Sequence, residues 1–130
     1  MKLFLLIVLI PFVSIGQPAG KNWIRVNQLG YTPNGVKVAV WCSKEEKVIG
    51  DWELVNSVSK RIVASGKTSN PFGAYGPFKQ TFRLNFSSFK KPGRYYLQAG
   101  GVRSPEFEIG EDVYKGAADF CLRYMRQQRT

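Results

Sequence analysis

Along most of this chain apolar and polar residues alternate with a period of two, in short runs that stop at glycine, proline or asparagine. That alternation fits strands with one face in a core and one in water, whereas a helix would repeat its apolar positions every three or four residues. Ile24 and Val26 point one way, with Trp23, Arg25 and Asn27 opposite. Val36, Val38, Val40 and Cys42 form an apolar set against Lys37, Ala39 and Trp41. Trp52 and Leu54 alternate with Asp51 and Glu53, and Ile62 and Ala64 flank Val63 in a weaker segment. Phe82, Leu84 and Phe86 alternate with Thr81, Arg83 and Asn85; Tyr95, Leu97 and Ala99 with Tyr96 and Gln98; Phe107 and Ile109 with Glu106 and Glu108. Between these runs stand Gly30, Thr32-Pro33-Asn34-Gly35, Gly50, Gly66, Asn70-Pro71, Gly76-Pro77, Lys91-Pro92-Gly93 and Gly100-Gly101. Each offers a fixed or positive φ that a tight turn can use.

About seven short strands of this kind, with one wet face each, predict an all-β fold of two antiparallel sheets packed face to face. The expectation is an immunoglobulin-like β-sandwich over residues 23–110. Trp52 is the candidate core tryptophan of the third strand, and Tyr95, just after the Pro92-Gly93 turn, the candidate corner tyrosine.

Both ends of the chain break the pattern. Residues 1–16 place Lys2 before an apolar run and end in small residues, the layout of a secretory signal peptide cleaved after Gly16. Residues 17–22 (Gln-Pro-Ala-Gly-Lys-Asn) read as a linker. Over residues 111–130 the period becomes helical: Val113, Ala117, Phe120, Cys121 and Tyr124 form one stripe, and Ala118, Leu122 and Met125 a second beside it. Glu111 and Asp112 at the start and Arg123, Arg126 and Arg129 near the end suit the helix macrodipole. The apolar arc is wider than one sheet would cover. The expectation is a helix of a neighbouring helical domain, the rest of which this sequence does not contain.

Composition narrows the chemistry. With no histidine, Ser-His-Asp and Cys-His triads and histidine metal sites are excluded. Cys42 and Cys121 are too few and too far apart for a zinc knuckle or a disulfide framework; an oxidising compartment allows a single Cys42–Cys121 bridge, and the favoured expectation is that both are small buried hydrophobes. No cofactor or metal motif is present. The formal charge of +10 would suit nucleic acid in a cytosolic protein. Export, to the periplasm or the exterior, argues against nucleic acid and, once the signal is cleaved, against a membrane. A basic exported domain instead meets anionic glycans or simply carries a solvated face.

Four segments then resemble a known family, in order and across nearly the whole mature chain. Ile24-Arg25-Val26-Asn27-Gln28-Leu29-Gly30-Tyr31 is similar to the opening strand and turn of the N-terminal immunoglobulin-like domain of family 9 glycoside hydrolases. Phe86-Ser87-Ser88-Phe89-Lys90-Lys91-Pro92-Gly93-Arg94-Tyr95-Tyr96-Leu97 resembles a later turn and strand, and Ser104-Pro105-Glu106-Phe107-Glu108-Ile109 the last strand. Val113-Tyr114, Phe120 and Arg126-Gln127-Gln128-Arg129 resemble the first helix of the attached (α/α)6 barrel. The resemblance implies an inverting β-1,4-glucan hydrolase of endoglucanase type, whose general acid and base come from the barrel. None of the barrel's catalytic motifs is in this chain, so no catalytic residue is carried over. The implied role is a non-catalytic accessory domain of a secreted cellulase, with the catalytic barrel as its partner in cis.

Candidate contact residues follow from exposure. Trp23, Trp41, Tyr75 and Tyr96 are expected on outer faces or loops, where flat rings pack against a partner domain or stack on β-glucan. Asn27, Gln28 and Tyr31, around the sharp turn at Gly30, are expected either to brace the barrel or to end a strand. Glu106 and Glu108 share one strand face but carry no sign of a cleft, and read as solvent-facing charges. The alternative to the accessory role is a free-standing carbohydrate-binding or adhesion sandwich.

Overall fold

The computed structural model describes residues 20–129. Strands β1 (Asn22–Arg25), β2 (Val38–Ser43) and β5 (Gln80–Asn85) form one antiparallel sheet in the order β1-β2-β5. The second sheet runs β4 (Ile62–Lys67), β3 (Asp51–Asn56), β6 (Gly93–Ala99), β7 (Val102–Arg103), with β8 (Phe107–Ile109) also paired to β6. Helix α1 (Ala117–Gln127) follows. The fold is the expected sandwich plus a C-terminal helix. A two-residue strand, β7, lies where the sequence shows only the end of the Gly100-Gly101 turn.

The core sits between the sheets. Trp41, Phe82, Leu84 and Phe86 come from one side, and Trp52, Leu54, Tyr95, Leu97, Phe107 and Ile109 from the other, all buried. Phe86 joins the layers: its ring centroid lies 5.2 Å from that of Tyr31, 5.5 Å from Phe107 and 6.4 Å from Trp52. The pairs with Tyr31 and Trp52 are edge-to-face and that with Phe107 is tilted, and such aromatic packing adds to the gain from area burial. Trp52 occupies the third strand as expected, and its indole N–H donates to Lys67 O at 3.1 Å. The strand beside it must carry no side chain there, because a Cβ on Gly66 would stand 2.5 Å from the Trp52 ring. The Tyr95 hydroxyl donates to Pro92 O at 3.2 Å, which makes it the corner tyrosine.

Strand β2 corrects the sequence reading. Ala39 and Trp41 face the core, while Val36 and Val40 face out. Register explains the reversal: Trp41 pairs with Ile24 on one side and Phe82 on the other, so the three make one apolar row. Lys37 belongs to the same inward face and is fully buried. Its ammonium donates to Thr32 O at 3.3 Å, Pro33 O at 2.6 Å and Gly35 O at 2.9 Å, closing the 32–35 turn. Burial, and then nearby Lys90, push the Lys37 pKa below its ordinary value.

The C-terminal segment also differs. Residues 111–116 are turns, and the helix begins only after Gly116, whose φ of 78° is left-handed. Glu111 and Asp112 therefore lie outside it; Asp119 is the acid of its first turn and Arg126 the base of its last. No residue of α1 is buried. Cys121 is accordingly exposed, against expectation, whereas Cys42 is buried; both thiols are free. At the other end, the expected linker stops short, since Asn22 already belongs to β1. The expected signal peptide lies outside the described residues.

Candidate functional site

The most organised surface feature lies where the sandwich hands over to α1. After β1, Asn27 folds the chain back: its side-chain oxygen accepts from Leu29 N–H at 3.1 Å, and its carbonyl from Gly30 N–H at 3.1 Å. The chain then runs beside β8. Tyr31 N–H donates to Glu108 O at 2.9 Å and Gly110 N–H to Tyr31 O at 3.0 Å. Gly30 is pinned between these segments with φ 104°, and a Cβ there would lie 2.5 Å from Glu108 O and 3.0 Å from Val113. Only glycine meets both demands.

Tyr114 ties the helix root to this turn. Its hydroxyl donates to Gly30 O at 2.9 Å and accepts from Asn27 Nδ2 at 3.0 Å. Tyr31 works from beneath, buried among Phe86 and Phe107. Its hydroxyl donates to Val38 O at 3.1 Å and accepts from Asn27 N–H at 2.9 Å. Burial pushes the Tyr31 pKa up, and Tyr114 adds to this, while the Asn27 N–H opposes it. Two tyrosine hydroxyls thus hold Asn27 from either side. Above the turn, Leu29, Val113, Lys115, Ala117, Phe120 and Cys121 line a shallow groove of about 280 Å³. Phe120, Leu122, Tyr124 and Met125 stand exposed along α1. This arrangement holds no acid–base pair; what it offers chemically is a fixed backbone turn and an uncovered apolar helix.

The other contact residues expected from sequence are scattered. Gln28 is exposed on the same turn as Asn27. Trp41 is fully buried in the core and is no surface contact. Tyr31 is likewise interior, and serves the turn through its hydroxyl alone. Tyr96 lies on the outer face of the five-stranded sheet, yet is only 7% exposed, because Arg103 stacks on its ring at 3.7 Å and Lys60 lies 5.7 Å away. Trp23 is half-buried against Phe78, 5.6 Å away, and Phe78 pairs with the exposed Tyr75. Glu106 is bound to Arg103 at 2.7 Å, and Glu108 faces solvent. Sequence reasoning includes Leu29 in the turn segment 27–31 but misses Tyr114 as a site residue; its role depends on contacts that no local pattern reveals.

A sandwich whose first turn and last strand jointly hold the root of an exposed C-terminal helix is an immunoglobulin-like module. Residues 19–104 match the family described as the cellulase N-terminal ig-like domain, and the chain belongs to that family. Relatives agree. The chain is 36% identical over 107 residues to the xyloglucan-specific endo-beta-1,4-glucanase BoGH9A of Bacteroides ovatus, a match covering 82% of this chain and 18% of that protein. It is 34% identical to endoglucanase C of Cellulomonas fimi, covering 82% of this chain and 10% of that one. Among solved structures, a Bacteroides ovatus GH9 protein superposes with a TM-score of 0.66 at 34% identity, over 82% of this chain and 19% of that one. A metagenome-derived glycoside hydrolase family 9 endoglucanase superposes with a TM-score of 0.64 at 32% identity, over 72% of this chain and 18% of that one. The chain thus spans less than a fifth of the length of these relatives.

Proposed function

We propose that this chain is the N-terminal accessory part of an exported family 9 endoglucanase, that it supplies no catalytic group, and that it braces a helical catalytic barrel in cis. The observation that carries the reading is the Asn27–Gly30–Tyr114 knot beside an uncovered apolar helix. The knot fixes where the helix leaves the sandwich, and the helix presents Phe120, Leu122, Tyr124 and Met125 with nothing over them. A surface of that kind is completed by another domain. The substrate, a β-1,4-glucan, is inferred from the relatives, and export from the layout of residues 1–16.

Two assays test the reading. The purified chain should leave soluble β-glucan intact; hydrolysis by the pure chain would overturn the accessory role. Joined to a family 9 barrel through its own residues 111–129, the sandwich should raise the barrel's thermal midpoint, and Leu29→Asp should remove that gain. A midpoint indifferent to the sandwich would contradict the bracing role.

A further inference from the structure

The outer face of the three-stranded sheet carries a second groove, of about 390 Å³, lined by Val40, Phe72, Tyr75 and Arg83 among others. Its volume lies within the range of small-molecule sites. Its wall is built rather than loose. Phe72 N–H donates to Thr81 O at 3.0 Å, the Thr81 hydroxyl to Gly73 O at 3.0 Å, and Tyr75 and Phe78 exchange backbone bonds at 2.9 and 3.0 Å. These contacts fold the 69–79 loop back along β5 and hold the Tyr75 ring 78% exposed and the Phe72 ring 54% exposed. Large rings left in water on a fixed loop invite a flat, partly apolar ligand, and sugar rings stack on such faces through their C–H bonds.

Charge narrows the class of ligand. Arg25, Val40 and Arg83 are register partners across β1, β2 and β5, so their side chains share the outer face, with the two arginines about 10 Å apart at two strand spacings. The Arg83 guanidinium stacks on Phe72 at 4.0 Å, which leaves its N–H edges free. Neither arginine has a salt bridge among the described residues. The three strands and the 69–79 loop contain no Asp or Glu, although the chain has nine, and Lys79 adds a further cation. A guanidinium without a salt bridge, stacked on a fixed aromatic ring with a second arginine on the same sheet face, calls for carboxylates carried on rings, since arginine binds carboxylate through paired N–H donors. We infer that this groove binds an acidic polysaccharide, a chain of uronic-acid type, with Tyr75 and Phe72 stacking on sugar rings and Arg83 pairing with a carboxylate. The inference does not rest on the accessory role, because it uses the opposite surface features of the sandwich.

Affinity electrophoresis and titration calorimetry of the full chain test it, using polygalacturonate, neutral xyloglucan and a single-stranded oligonucleotide at about 0.15 M salt, where surface charge is screened over about 8 Å. Polygalacturonate should retard the chain. Tyr75→Ala and Arg83→Ala should each weaken binding about tenfold, the loss of one aromatic platform or one charge-assisted pair. Arg83→Lys should not restore it, and Lys90→Ala with Lys91→Ala, which removes two charges from another loop where Arg83→Ala removes one, should leave it unchanged. All four positions are exposed, and far-UV circular dichroism confirms that each variant folds. No retardation, equal binding by all variants, a loss in the Lys90/Lys91 variant matching Arg83→Ala, or equal affinity for xyloglucan or the oligonucleotide would each overturn the proposal.

Discussion

The sandwich and helix α1 are both rich in apolar side chains, and they dispose of them in opposite ways. In the sandwich every large inward residue finds a cover: Trp41, Leu54, Phe86 and Leu97 are fully buried between two sheets. In α1 no residue is buried, and Phe120 remains 72% exposed. The first region completes its own core. The second has the amphipathic residues of a core-facing helix with only its root attached, through Tyr114. The contrast separates a region that covers its own apolar surface from one that leaves it exposed.

Substitutions can break or sharpen this contrast. Trp41→Ala should cost about 3–5 kcal/mol in urea unfolding of the chain, the usual loss for a buried tryptophan. A cost below about 1 kcal/mol would mean that the sheets do not form one packed core. Gly30→Ala should cost about 1–3 kcal/mol, because it forces both a left-handed φ and a clash with Glu108 O. Wild-type stability in that variant would show that the turn is free to relax. Tyr114→Phe should cost at most about 1 kcal/mol globally, the worth of hydrogen bonds at an exposed site. Its clearer effect should be faster amide exchange at Gly30 and through residues 111–117, leaving β3 and β6 unchanged. Smallest of all, Phe120→Ser should shift stability by no more than about 0.5 kcal/mol, as for a surface site. A loss comparable to that of Trp41→Ala would place α1 inside the sandwich's own core and end the contrast.

Much of the fold is legible in the sequence where one face of a strand is unmistakably apolar. Phe82 and Leu84 on β5 with Phe86 just after it, and Tyr95, Leu97 and Ala99 on β6, all face inward as their alternation predicts. On β2 the pattern misleads, because three valines and a cysteine occupy one face while Trp41 sits opposite. Only the register with Ile24 and Phe82 decides which face is buried, and register is not local. Lys37 is hidden for a related reason: its partners are the carbonyls of a turn, which leave no side-chain signature. At the C-terminus, Glu111 and Asp112 imitate a helix start, and the left-handed Gly116 places the real one later. The junction was half legible. The Gly30 turn is plain in the sequence, but Tyr114 reaches Asn27 across 87 residues, and no spacing rule connects them. Tyr75 reads correctly as exposed, whereas Trp41 reads as a surface ring and proves to be interior.

The account stands on one claim: the sandwich is complete by itself, while α1 is attached to it only through its root. Hydrogen exchange on the purified chain, resolved by residue, measures this directly. The expected result is strong protection in β2, β3, β5 and β6, measurable protection at Gly30 and Tyr31, and near-intrinsic exchange from Ala118 to Gln127. Protection of α1 equal to that of the strands would contradict the account, since it would show the helix to be part of the sandwich's own cooperative core.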